Sequence, residues 1–245
     1  MSHKIHAIEY LTWDSEFFGF PVSRISASVG DSPKIILRKI DGFLSDGDGL
    51  CYVVLPLELH RVLSSSLIEN GAVHYGSRVS FHLRFGDPNS NLAYSGGVQV
   101  IEKMNGYVRT LAIKSGRYSR FFKDELLAGK AAELYARWIE NGFAAYNNGN
   151  GVVLGVFDDG TLVGIVSVSV IGRTAKVDLL AVEEGYRGRG IGRRLMGSAV
   201  MFARERDCDE LIVVTQGENV EACGFYASLG MLEYERSEIW HLRRK

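Results

Sequence analysis

Apolar residues recur with helical spacing at Ile35, Ile36, Ile40, Phe43 and Leu44, behind Ser32-Pro33, an N-cap followed by a good first helical residue. This spacing predicts a helix that ends near Gly47. Residues 51–55 are an unbroken apolar run, short enough for a buried strand. Residues 58–69 read as a helix closed by Asn70-Gly71, and residues 73–85 alternate as a strand. Ahead of these, residues 5–12 read as a short strand and residues 13–21 as a loop whose four aromatic rings fill core or interface. Further on, the pattern predicts a strand at 98–102, a helix at 105–114 and a helix at 131–141 carrying Leu134, Tyr135, Trp138 and Ile139. Residues 152–157 and 161–171 flank Asp158-Asp159-Gly160, a turn that demands positive φ and makes the two runs an antiparallel hairpin. An apolar run (Val177, Leu179, Leu180, Ala181, Val182) then leads through a loop rich in glycine and arginine. A helix buries Leu195, Ala199, Phe202 and Ala203, and a second apolar run follows at 211–214.

The polar, turn-rich stretch 86–97 places a domain boundary, giving an N-terminal domain over 1–90 and a second over 97–245. The two ends of the chain share a pattern. Tyr52-Val53-Val54 corresponds to Ile212-Val213-Val214, Gly71 to Gly230, Tyr75 to Tyr234, and His82-Leu83-Arg84 to His241-Leu242-Arg243. The near-constant offset points to a degenerate repeat of one strand-helix-strand unit. The front copy lacks the glycine-arginine loop, so it keeps the scaffold without a matching site.

A strand that delivers such a loop onto a helix N-terminus makes an anion cradle: the first backbone N–H groups have no helical partner and the helix dipole favours negative charge. Here Arg187-x-x-Gly190-x-Gly192 sets glycines for close approach, with Arg187, Arg189, Arg193 and Arg194 as cations. A P-loop is excluded, because Arg193 and Arg194 stand where Lys and Ser or Thr are needed. A dinucleotide fingerprint fits poorly, since the next strand ends in Thr215 and Gln216 rather than an acid.

Composition narrows the classes. With 28 basic and 29 acidic residues there is no excess of positive charge for a general nucleic-acid binder, so any phosphate site is local. Cys51, Cys208 and Cys223 have neither paired nor metal-ligand spacing, which predicts reduced thiols, no metal and a cytoplasmic setting. The first ten residues hold no long apolar segment, so no secretory leader is expected. No run approaches the roughly 20 apolar residues of a membrane span.

Two motifs in order make a family resemblance. Residues 182–192 resemble the acetyl-CoA signature of the GCN5-related N-acetyltransferase (GNAT) superfamily, and Asn219-x-x-Ala222-x-x-Phe225-Tyr226-x-x-x-Gly230 is similar to its following block. The resemblance implies an α/β acyl-CoA N-acyltransferase fold with a mixed sheet over 97–245, preceded by a smaller, truncated GNAT-like α/β domain. It implies acetyl-CoA as co-substrate, with Leu180 and Val182 offering backbone groups to pantetheine and Arg187, Gly188, Arg189, Gly190, Ile191 and Gly192 cradling the pyrophosphate. Asn219 would contact the cofactor and Tyr226 would be the general acid. Some relatives carry a glutamate base on the strand before the loop, where Lys176 stands here. Asp178, two residues on, is the candidate base, with Glu140, Glu183 or a water relay as alternatives.

Within the superfamily, several blocks resemble the dTDP-fucosamine acetyltransferases: the Trp13 to Gly19 pattern, Ser119-Arg120-Phe121, Tyr135-x-x-Trp138-Ile139-Glu140-Asn141, Leu179-Leu180-Ala181 and Thr215-Gln216-x-x-Asn219. This implies that the acceptor is the 4-amino group of a dTDP-4-amino-4,6-dideoxy sugar and that the protein is a homodimer. The basic, aromatic segment 114–123, by default a solvated loop, then becomes a candidate nucleotide-sugar site through Tyr118, Arg120 and Phe121. A peptide, antibiotic or polyamine amine is the alternative acceptor, and a non-catalytic acetyl-CoA-binding protein the alternative class.

Overall fold

The computed structural model describes residues 8–46, 48–87, 92 and 96–244. The expected end of the first helix at Gly47, and most of the turn-rich stretch 86–97, lie outside the described residues. The chain packs as two compact units, Met1–Val79 with Arg236–Lys245, and Ser80–Glu235. The stretch 86–97, where composition placed a boundary, therefore falls within the second unit.

In the first unit, β1 (Glu9–Tyr10) runs antiparallel to β2 (Val22–Ser26), and β2 runs parallel to β3 (Leu50–Pro56). Between β1 and β2, residues Thr12–Phe18 form helix α1 rather than the expected loop. Ser15 and Phe18 face inward, Gly19 ends the helix in the left-handed region at φ 82°, and Trp13 stacks on Phe17 with ring centroids 5.2 Å apart. The Ser15 hydroxyl donates to the Leu11 carbonyl at 2.7 Å and accepts from the Val22 N–H at 2.8 Å, which ties the helix to β2. Helices α2 (Pro33–Asp46) and α3 (Leu57–Glu69) bury the stripes the sequence marked: Ile36, Ile40 and Phe43 on one, Leu59, Leu63 and Leu67 on the other. They pack on Cys51, Val53 and Leu55 of β3 and on Trp240 and Leu242 of β10 (Leu232–Arg243). The intervening positions face the other way, where the Tyr52 and Tyr75 rings lie 4.8 and 4.3 Å from that of His241.

In the second unit the sheet order is β4-β9-β8-β7-β6-β5. Its strands are β4 (Val73–Arg84, which enters from the first unit), β5 (Gln99–Val100), β6 (Gly151–Asp158), β7 (Thr161–Ile171), β8 (Thr174–Val182) and β9 (Glu210–Gln216). The β6–β7 turn places Asp159 and Gly160 at φ 46° and 77°, the two successive positive values the hairpin required. Helices α4 (Gly106–Ser115), α5 (Arg120–Lys123), α6 (Glu125–Asn147), α7 (Ile191–Glu205) and α8 (Val220–Ser228) complete the unit. At 23 residues α6 is far longer than the pattern at 131–141 predicted. Its extension passes through Gly142, where a Cβ would stand 2.6 Å from the Ser167 hydroxyl of β7, so the glycine marks close helix–sheet packing rather than a helix end.

The repeat has a consequence that its sequence does not show. β3-α3-β4 and β9-α8-β10 are the two strand-helix-strand copies, but the last strand of the rear copy pairs antiparallel with β3, Trp240 opposite Val53 and Leu242 opposite Cys51. The last strand of the front copy lies beside β9. The copies exchange their final strands.

Candidate active site

The parallel ladder between β8 and β9 runs only from Thr174–Glu210 to Val177–Val213, although β8 continues to Val182 and β9 to Gln216. On its other edge β8 stays paired with β7 to Val182, but the register jumps: Val168 faces Val177 while Ser167 faces Leu179. Asp178 is thus the extra residue of a β-bulge, placed at the point where β8 and β9 part. A bulge takes one residue's backbone out of the ladder and twists the strand, and such irregularities gather beside active sites. The result is a slot between two strands whose facing edges no longer pair with each other, suited to an extended ligand carrying amides.

The slot leads to the loop. Glu183 N–H donates to the Val163 carbonyl at 2.8 Å, a single 3-10 turn follows at Glu184–Tyr186, and Gly190 begins α7. Gly188 and Gly190 stand at φ 74° and 76°, and a Cβ on either would meet no atom within 4 Å. These glycines serve backbone conformation and leave room for a ligand. The N–H of Arg194 is the first to close onto the helix, reaching the Gly190 carbonyl at 3.1 Å. Those of Ile191, Gly192 and Arg193 point out of its positive end. Gly192 has another reason: a Cβ there would be 3.0 Å from the Phe225 ring of α8.

The four arginines separate into two pairs. Arg194 donates to the carbonyls of Gly96 and Gly97 at 3.2 and 2.7 Å, and Arg193 to that of Ser228 at 3.1 Å, so both are structural ties. Arg187 reaches the Val182 carbonyl and the Glu221 carboxylate, each at 3.4 Å, and Arg189 lies over the Tyr186 ring at 4.9 Å. These two stay at the mouth of the cradle.

Asn219 caps α8, its side-chain oxygen accepting from the Ala222 N–H at 3.2 Å, which leaves its amide NH₂ as the group that can face a ligand. Tyr226, 6% exposed, lies one helical turn past Cys223, with its ring 5.7 Å from Phe81 and 5.4 Å from Phe225. Burial, and to a lesser degree the neighbouring Cys223 thiol, raise the phenol's pKa well above the usual tyrosine range. Tyr226 therefore keeps its proton at any physiological pH.

Each candidate base already faces a cation. Asp178 is 3.3 Å from Lys176, Glu183 is 2.6 Å from Lys114, and Glu140 lies between Arg109 and Arg137 at 3.8 and 3.5 Å. The Lys114–Glu183 pair brings segment 114–123 to the start of the loop. That segment is not a loose loop. Ser119 and Phe121 are buried, and Asp124, with no exposure, caps α6 through the Leu126 N–H at 2.9 Å. Phe121 packs edge-on to Trp138 at 5.7 Å, so its ring is closed to stacking on a base. Arg120 lies over that ring at 4.2 Å, and Arg117 donates to the half-buried Tyr118 hydroxyl at 2.9 Å. Sequence reasoning missed the bulge at Asp178, because residues 174–178 alternate up to an apolar run at 179–182 and nothing in either signals an extra residue.

Residues 118–231 match the model of the Acetyltransferase (GNAT) family. Over that stretch the chain is similar to the GNAT family. Its mixed α/β architecture is the GNAT fold, accompanied by the additional N-terminal unit. The chain is 28% identical over 253 residues to the dTDP-fucosamine acetyltransferase of Escherichia coli O6:H1, covering 97% of this chain and 98% of that protein. It is 33% identical over 66 residues to N-alpha-acetyltransferase 30 of Saccharomyces cerevisiae, a match that takes in 27% of this chain and spans only 38% of the relative's length. Among solved structures, a functionally unknown conserved protein from Staphylococcus epidermidis superposes with a TM-score of 0.69 at 16% identity, covering 100% of this chain and 94% of that one. No helix among the described residues is long and apolar enough to cross a membrane.

Proposed function

We propose that this GNAT protein transfers an acetyl group from acetyl-CoA to a primary amine on a small molecule, specifically the 4-amino group of a dTDP-4-amino-4,6-dideoxy sugar. The observation that carries the sugar assignment is extent. The likeness to the dTDP-fucosamine acetyltransferase runs through both units of the chain, whereas the likeness to N-alpha-acetyltransferase 30 is confined to 66 residues.

The co-substrate fits the residues present. In this reading the pantetheine arm lies in the slot between β8 and β9 against the backbone of Leu180 and Val182. The N–H groups of Gly188 to Gly192, with Arg187 and Arg189, hold the pyrophosphate, and the Asn219 amide donates to the arm. The bulge at Asp178 provides backbone dipoles where the thioester carbonyl gains negative charge. The neutral amine attacks that carbonyl, its N–C bond forming and the C–S bond breaking. Tyr226 gives its proton to the departing sulfur, and the surplus proton on nitrogen passes to Asp178 or to water, from which Tyr226 is protonated again. Tyr118 and Arg120 face the nucleotide-sugar, Arg120 as the cation for its diphosphate; Phe121 supports Arg120 from beneath.

A second reading, an α-amino group of a peptide as acceptor, is favoured by two N-alpha-acetyltransferases that are 33% and 36% identical over 66 and 81 residues. Thiol release from acetyl-CoA, measured with dTDP- and UDP-4-amino sugars, free-amine peptides and polyamines, decides between them. Turnover confined to the dTDP-4-amino sugar is the expected result. Turnover with peptides alone transfers the assignment to the second reading.

A further inference from the structure

The N-terminal unit holds a cluster that acetyl transfer does not use. His60 comes from α3, His74 from the start of β4 and Glu238 from β10, and one ligand atom of each lies within 4.8 Å of those of the other two. His74 Nε2 and Glu238 Oε2 are 2.7 Å apart, the carboxylate being buried and the histidine exposed. The two imidazole rings are 5.1 Å apart, and the Trp240 indole flanks both, 5.6 Å from His60 and 4.8 Å from His74. Trp240 Nε1–H donates to His60 Nδ1 at 3.2 Å.

We propose that His60, His74 and Glu238 form a binding site for a divalent transition cation of the Zn²⁺ type. Two imidazole nitrogens and one carboxylate oxygen are the donor set that suits Zn²⁺ and its neighbours rather than Mg²⁺ or Ca²⁺. Three protein ligands leave a fourth position for water, and the exposed edge of His74 gives access to it. Tetrahedral Zn²⁺ at bond lengths near 2.0–2.1 Å sets its ligand atoms roughly 3.3 Å apart. The close His74–Glu238 pair then opens slightly and His60 closes in, both by side-chain rotation. The electrostatics favour the ligating form of His60. Burial lowers its pKa, against the raising effect of Glu238, with His74 and Arg61 lowering it further, so the ring is neutral at neutral pH. Trp240 orients the ring. A neutral imidazole that accepts at Nδ1 carries its proton on Nε2, so a cation at Nδ1 displaces the indole N–H, and a cation at Nε2 sends the ring proton to Nδ1, where the indole N–H no longer finds an acceptor. Binding therefore changes Trp240 emission, and it cross-links α3, β4 and β10.

The test uses the full chain, freed of metal with a chelator and dialysed. Zn²⁺ is titrated in competition with a chromophoric chelator, and Co²⁺ is followed by its visible absorption. The expected result is one equivalent bound, with a rise in thermal midpoint on Zn²⁺ addition. Affinity should fall at least tenfold in His74→Ala and in His60→Ala, and remain unchanged in His82→Ala and in a His3→Ala/His6→Ala variant. His74 is exposed, so its variant is expected to fold, and circular dichroism checks this. The proposal is overturned if wild-type protein binds no stoichiometric Zn²⁺. It is equally overturned if the bound equivalent survives in His60→Ala/His74→Ala or is lost with His3 and His6.

Discussion

Replacing Tyr226 by phenylalanine separates chemistry from packing. The ring sits between Phe81 and Phe225 at 5.7 and 5.4 Å, and phenylalanine keeps both contacts. Only the hydroxyl is lost, so stability should change by about 1 kcal/mol at most in either direction. The rate should change far more. A positioned general acid contributes about 10²- to 10⁴-fold, or roughly 3–5 kcal/mol of barrier. Burial, with the Cys223 thiol as second cause, raises the phenol's pKa above its ordinary value of about 10. A raised pKa keeps the acid form to higher pH, so wild-type enzyme should show no alkaline loss from this group below about pH 10. The wild-type to variant rate ratio should then be flat from about pH 6.5 to 9.5. The assay is initial thiol release at saturating acetyl-CoA and amine, with acetyl-CoA KM and thermal midpoint measured alongside. A kcat loss below about fivefold, or one that vanishes within that pH range, would refute the role of Tyr226 as the acid.

Three other outcomes are expected. Gly190→Ala places a side chain at φ 76°, at a backbone cost of roughly 1–2 kcal/mol. It fills the open space of the cradle, so acetyl-CoA KM should rise at least about tenfold while the fold persists by circular dichroism. Gly116→Ala would put a Cβ 2.2 Å from Tyr135 ring carbons, and it should lower stability by about 1–3 kcal/mol in urea unfolding. Cys51 is wholly buried and its thiol is pushed up to about 12 by burial, so in native protein at pH 8 it should resist iodoacetamide while the half-buried Cys223 reacts, as read by peptide mass.

What the sequence by itself determined is local. Helix α2 followed from Ser32-Pro33 and an apolar stripe, the β6–β7 hairpin from Asp158-Asp159-Gly160, and the turn onto α7 from glycines at fixed spacing. Each depends on residues within a turn or two of one another, where period and φ preference act without distant partners. Helix α1 escaped because its aromatic residues carry weak helical preference. Its conformation rests on Ser15 bonding Leu11 and Val22 and on the burial of Phe18.

Only the tertiary structure decided what depends on which strand arrives beside which. An alternating strand fits any partner of matching period, so β4 and β10, similar in pattern, could not reveal that they exchange places between the two repeats. The same limit hid the bulge at Asp178 and the parting of β8 from β9 after Val177, which open a slot ahead of the Gly-rich loop. It also hid the burial of Phe121 against Trp138, and the meeting of His74 with Glu238, 164 residues further along the chain. Sheet pairing and core packing bring such residues together, and neither leaves a mark on the spacing of a single sequence.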